Sequence, residues 1–134
     1  MAEGGNKRKI LIVEDDKFLR ELLVRKLFAA GFEVESAIDA TAAFEILKEK
    51  KPQIVLLDLL LPGEDGFSIL GKIRESAETT SLPVIVLSNL GQKEDIDKAL
   101  SLGATDFMVK ANFTLDEIIE KVNNLLGKGK TAAS

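Results

Sequence analysis

The sequence predicts an α/β fold, a three-layer (βα)5 sandwich in which helices cover both faces of a parallel sheet. Three observations predict it. Five short runs with the composition of strands alternate strictly with segments of helical period, the signature of repeated βα units. Three of those runs are almost wholly apolar, as strands buried on both faces must be, while the other two carry polar residues. And 134 residues, with 46% apolar and 30% charged side chains, suit one soluble domain with a proper core, not two.

Lys9–Val13 (KILIV) is the first strand. In the helix after it, Phe18, Leu19, Leu22, Leu23, Leu27 and Phe28 make one apolar stripe, and Gly31 stands where a C-terminal cap belongs. Glu33–Ala37 (EVESA) is the second strand, followed by a helix from about Ala40 to Lys50. Gln53–Leu57 (QIVLL) is the third, with a helix from about Phe67 to Ser76. Pro83–Leu87 (PVIVL) is the fourth, with a helix from about Lys93 to Leu102, and Thr105–Val109 (TDFMV) is the fifth. The last helix has the clearest start. Thr114 and Glu117 are spaced for a capping box, and Phe113 and Ile118 for a hydrophobic staple. Leu115, Ile118, Ile119, Val122, Leu125 and Leu126 then define its buried face.

The apolar runs at 10–13, 54–57 and 84–87 belong at the centre of the sheet, and the mixed runs at 33–37 and 105–109 at its edges. That is the flavodoxin-like order 2-1-3-4-5. Residues 9–127 make the domain, with 1–8 and 128–134 as short tails, and neither a repeat nor a linker interrupts it.

Composition excludes several chemistries. Without cysteine there are no disulfides, thiolate nucleophiles or sulfur-ligated metals. Without histidine there are no imidazole-ligated zinc sites and no serine–histidine triads. A net charge of −4 gives no field towards nucleic acid or anionic membrane, and Lys7-Arg8-Lys9 reads as a solvated flank of the first strand. The longest apolar run is too short to span a bilayer, and residues 1–9 lack the apolar stretch of a signal peptide. The expectation is a cytoplasmic protein with neither nucleic-acid nor membrane partners.

Ligands of open α/β sheets bind beyond the carboxyl ends of the strands, at the point where strand order reverses. Those ends carry Glu14, Asp15 and Asp16 after strand one, Asp58 after strand three, Ser88 and Asn89 after strand four, and Lys110 after strand five. Taken singly, each has an ordinary reading. Asp16 is best read as the N-cap of the first helix, Glu14 and Asp15 as loop acids, Ser88 and Asn89 as turn formers, and Lys110 as a solvated lysine. Asp58 resists such a reading. It interrupts the apolar run Ile54–Leu61 (IVLLDLLL), where an unpaired carboxylate would be costly to bury. Clustered carboxylates repel, and a divalent cation relieves that repulsion. Oxygen-only ligation selects Mg²⁺, Mn²⁺ or Ca²⁺, and a site with few acids beside a lysine and a serine suits Mg²⁺ with phosphate.

Four segments then make the pattern specific: ILIVEDD at 10–16, VLLDLLLPGEDG at 55–66, LPVIVLSNL at 82–90 and GATDFMVKA at 103–111. From about residue 9 to 126 the chain resembles the receiver domain of bacterial response regulators. The resemblance implies that Asp58 is the nucleophile that takes a phosphoryl group as an acyl phosphate. It implies Mg²⁺, with Mn²⁺ as a substitute, bound directly by Asp15, Asp58 and the Leu60 carbonyl and through water by Glu14. Lys110 and Ser88 would contact the phosphoryl oxygens, and Ser88 and Phe107 would form the switch to a surface on helix four, strand five and helix five. Leu60 and Leu90 would flank the path of hydrolytic water and, being apolar, lengthen the phosphorylated lifetime; Asn89 adds bulk beside them, while its amide is also able to hold a water and act the other way. The expected activity is that of a phosphoacceptor catalysing its own phosphorylation and dephosphorylation, not of a conventional enzyme.

The sequence departs from the family at three places. Ala111 replaces the usual proline after the lysine, and since a cis bond to alanine would cost about 3 kcal/mol, a trans peptide is expected. Position 89, usually small, is Asn, and the aromatic switch position carries Phe107, which has no hydroxyl and reads equally well as a packed edge-strand aromatic. Two competing enzyme-like or cofactor-binding readings are weak. A haloacid dehalogenase-type phosphatase needs a second aspartate two residues after the first, where this chain has Leu60. A flavin-binding module needs a hydroxyl-rich loop after strand one, where this chain has EDD. A pseudo-receiver acting only as an interaction platform stays open on motif content. Without a histidine of its own, the chain takes phosphate from a small phosphodonor or from a partner's phosphohistidine, on a sensor histidine kinase or a histidine phosphotransfer protein. The downstream target is not legible. With no output domain after Leu126, the expectation is a stand-alone messenger or relay intermediate.

Overall fold

The structure is a computed structural model and describes residues 8–126. The elements in chain order are β1 (Lys9–Val13), α1 (Lys17–Ala29), β2 (Glu33–Ala37), α2 (Ala40–Lys50), β3 (Ile54–Leu57), α3 (Gly66–Glu75), β4 (Val84–Ser88), α4 (Lys93–Ser101), β5 (Asp106–Val109) and α5 (Leu115–Leu125). The sheet is parallel throughout, in the order β2-β1-β3-β4-β5 that strand composition predicts. Nearly every residue of β1, β3 and β4 is buried, whereas β2 and β5 are half-exposed edges. Gln53, Pro83 and Thr105, read as strand starts, lie just outside their ladders, and the predicted tails lie outside the described residues save Arg8, whose guanidinium donates to the Leu126 carbonyl.

The sheet divides the core in two. On one face Ile10, Ile12, Leu56 and Leu87 meet Leu23 and Leu27 of α1 and Ile118 and Val122 of α5. On the other, Leu11, Val55, Leu57 and Val86 meet α2, α3 and Ala99 of α4. Because α1 and α2 lie on opposite faces, the chain reverses its winding between β1 and β3. A crevice opens there at the carboxyl edge.

Local signals fix the helix ends. Asp16 caps α1, its side chain accepting from the Leu19 N–H, and Gly31 follows the helix at φ 101°. Thr114 and Glu117 form the capping box of α5. The α1 stripe is narrower than the sequence suggests, because Phe18 is 75% and Phe28 65% exposed. At about 100° per residue, both point roughly 140° away from the line of Leu19, Leu23 and Leu27 that faces the sheet.

Candidate functional site

Register assembles the site. Val13 pairs with Leu57 across β1 and β3, so Glu14 and Asp58 emerge side by side at the carboxyl edge. Ser88 pairs with Val109, so Lys110 leaves β5 beside the end of β4. Asp58 is 4% and Glu14 2% exposed, both at the end of apolar strands, while Asp15 is open to solvent.

Two buried carboxylates this close must be compensated. Lys110 does this by reaching both: its Nζ lies 2.8 Å from Glu14 Oε1 and 3.0 Å from Asp58 Oδ2. The second oxygens are also satisfied, Asp58 Oδ1 by the Leu60 N–H at 3.1 Å and Glu14 Oε2 by the Asp16 N–H at 3.1 Å. Burial pushes Glu14 above the ordinary carboxylate range; the Lys110 hydrogen bond pulls it back and the charge of Asp58 adds to the rise. Burial works against the charge on Lys110, but its hydrogen bonds to Glu14 and Asp58, together with their negative charges, outweigh that and hold its pKa above that of a free lysine. The lysine is therefore a committed cation. No cis peptide occurs among the described residues, so Lys110 reaches Asp58 with alanine after it and a trans bond.

One carboxylate oxygen from each of Glu14, Asp15 and Asp58 lies within 4.8 Å of the other two. Three carboxylates against the one Lys110 ammonium leave a formal charge of −2. An all-oxygen donor set with that deficit fits a hard divalent cation. Ser88 is fully buried and its Oγ accepts from the Leu90 N–H at 3.3 Å. Leu90 and Phe107 are partly buried against the α2–α4 side of the core, Leu60 is 53% exposed and Asn89 is exposed. Asp16 stands apart as the helix cap.

The sequence reading passed over two residues that shape the site. A Cβ on Gly66 would lie 2.5 Å from the Asp58 carbonyl oxygen and 2.5 Å from Leu59 Cα, so only glycine lets α3 start against the backbone that carries Asp58. Its signal was present in PGEDG. Arg20 bonds the loop that bears Glu14 and Asp15, and nothing in its spacing announces this.

The family model described as the response regulator receiver domain matches residues 10–123. The chain belongs to the response-regulator receiver family. Among curated proteins, this receiver is 33% identical over 118 residues to the DNA-binding dual master transcriptional regulator RpaA of Synechocystis, covering 88% of this chain and 48% of that protein. It is 35% identical over 122 residues to the phosphate regulon transcriptional regulatory protein PhoB of Rhizobium meliloti, covering 91% of this chain and 53% of that one. The receiver thus spans about half the length of the curated relatives it matches. Among solved structures, a putative response regulator from Chloroflexus aurantiacus superposes with a TM-score of 0.84 at 30% identity, over 90% of this chain and 98% of that one. The BeF3-activated receiver domain of Klebsiella pneumoniae RstA gives 0.80 at 27% identity, over 87% and 96%. The Mn(2+)-bound form of the response regulator Rcp1 gives 0.76 at 25% identity, over 87% and 91%.

Proposed function

We propose that this receiver takes a phosphoryl group from a phosphohistidine onto Asp58. The observation that carries the reading is Asp58 itself: a buried carboxylate beside two further acids, with one oxygen held by Lys110 and the other by the Leu60 N–H. In the transfer an Asp58 oxygen attacks phosphorus, the P–N bond to the donor imidazole breaks, and an acyl phosphate forms. Glu14, Asp15, Asp58 and the Leu60 carbonyl would hold Mg²⁺, or Mn²⁺ in its place, which when bound neutralises charge on the transferring group. Lys110 offers its N–H groups to the phosphoryl oxygens, and Ser88 turns its hydroxyl from the Leu90 N–H towards one of them. Catalysis is then positioning and charge compensation by preset groups.

The half-buried Phe107 carries the change in Ser88 to α4, β5 and α5, where a target protein docks. Leu60 and Leu90 present no hydrogen-bonding group to hydrolytic water, and with Asn89 they favour a long-lived phosphorylated state. A protein donor is supported by the apolar side chains around the site. Phe18, Ile38, Leu60 and Phe113 are all more than a third exposed and follow four different strands at the carboxyl edge. That donor is a sensor histidine kinase or a histidine phosphotransfer protein, which places the exchange in the cytoplasm. No helix among the described residues is long and apolar enough to cross a membrane. The test is incubation with acetyl phosphate, with and without a chelator. Incorporation only with Mg²⁺ present supports the reading, and incorporation indifferent to chelation ends it.

A further inference from the structure

We propose that Arg20 is a positioning residue for the divalent-cation site, holding the β1–α1 loop so that Glu14 and Asp15 present their carboxylates towards Asp58. The inference rests on the metal-dependent reading above. One guanidinium nitrogen of Arg20, Nη1, donates to the carbonyl oxygens of both Glu14, at 3.0 Å, and Asp15, at 3.2 Å. Those carbonyls belong to successive peptide units, and two of the three clustered acids hang from them. On one side the loop is fixed by the Glu14 N–H bonding the Ala37 carbonyl, and on the other by Asp16 capping α1. Between these points the chain turns through Glu14 and Asp15, and Arg20, half-buried on the first turns of α1, ties the turn together.

Charge and geometry make opposite predictions for this residue. As a cation beside a dication site, Arg20 opposes metal binding, so deleting a mere bystander would tighten it. As a tie on the ligand loop it aids binding, because Mg²⁺ demands near-ideal ligand geometry. Ca²⁺ tolerates irregular coordination, so loosening the loop costs it less.

Calorimetric titration of the full chain with Mg²⁺ and with Ca²⁺ separates the two, using wild type, Arg20→Gln and Arg20→Lys, with metal-free urea unfolding to confirm the fold. Arg20→Gln is expected to weaken Mg²⁺ binding about tenfold or more, the range for groups that orient metal ligands. Ca²⁺ binding falls less, and Arg20→Lys recovers part of the Mg²⁺ affinity. Should Arg20→Gln not fold, Arg20→Met, which keeps the aliphatic stem, decides on the same terms. Mg²⁺ binding equal to or tighter than wild type in the neutral variant overturns the role of Arg20. A wild type that binds neither cation instead overturns the metal-dependent reading itself, and with it this inference.

Discussion

Glu14, Asp15 and Asp16 are neighbours in sequence with three different environments. Glu14 is buried against Lys110, Asp15 is exposed at the cluster, and Asp16 caps α1. Asp15→Asn is therefore expected to weaken Mg²⁺ binding more than Asp16→Ala does, since Asp16→Ala removes no ligand and costs about 1 kcal/mol of stability as a lost N-cap. Calorimetry and urea unfolding of the two variants check this, and equal Mg²⁺ affinity for Asp15→Asn and wild type would remove Asp15 from the ligand set. On the proposed reading, the lifetime of the phosphorylated state would also turn on single residues. Leu60 is open to solvent while Leu90 packs on the core, so Leu60→Asn is the cleaner probe and Leu90→Glu carries a stability cost of its own. Phosphate release from Leu60→Asn is expected to be faster than from wild type, and an unchanged rate would mean that Leu60 does not set the lifetime. Asp58 was legible because a charge inside an apolar run stands out. The sharing of Lys110 between Glu14 and Asp58 was not, since the strands that bring them together are about fifty residues apart or more in sequence.

The start of α3 packs directly against the backbone at the β3 end that carries Asp58. Gly66→Ala sets a methyl group 2.5 Å from backbone atoms that cannot yield as a flexible side chain would. The variant is expected to lose about 1–3 kcal/mol of stability, the range for overpacking, and to phosphorylate more slowly because Asp58 moves with its backbone. Thermal unfolding together with phosphorylation kinetics tests both halves. Wild-type values for each would show that α3 adjusts without disturbing the site. The elements themselves were read well where period and caps agreed, as in α5, whose apolar stripe and capping box point the same way. They were read less well in α1. Six apolar residues there imply a broad buried stripe, but Leu19, Leu23 and Leu27, with Val24 beside them, are the ones that pack on the core, and Phe18 and Phe28 sit at the two ends on outward-facing positions.

The whole molecule follows from one reversal of winding, which puts the β1 and β3 ends together, and from one crossing, Lys110 back to Asp58, which ties the edge strand β5 to the centre. Strand order was legible because burial on both faces leaves its mark on composition. The packing of Ser88, Leu90, Phe107 and α4, on which coupling beyond the site would depend, was not. Only Ala99 of α4 is buried, and its N-terminus has no side-chain cap, so α4 is the helix least bound to the core. Beryllofluoride with Mg²⁺ is expected to shift amide resonances beyond the site, along α4, β5 and α5, by biasing an equilibrium already present. Shifts confined to the loops around Asp58 would mark an uncoupled receiver. The most direct measurement is mass spectrometry of wild type and Asp58→Asn after incubation with Mg²⁺ and acetyl phosphate, with the modified residue mapped by peptide fragmentation. A single phosphoryl increment on Asp58, absent from Asp58→Asn, is the expected outcome; equal incorporation in both proteins would show that Asp58 is not the acceptor.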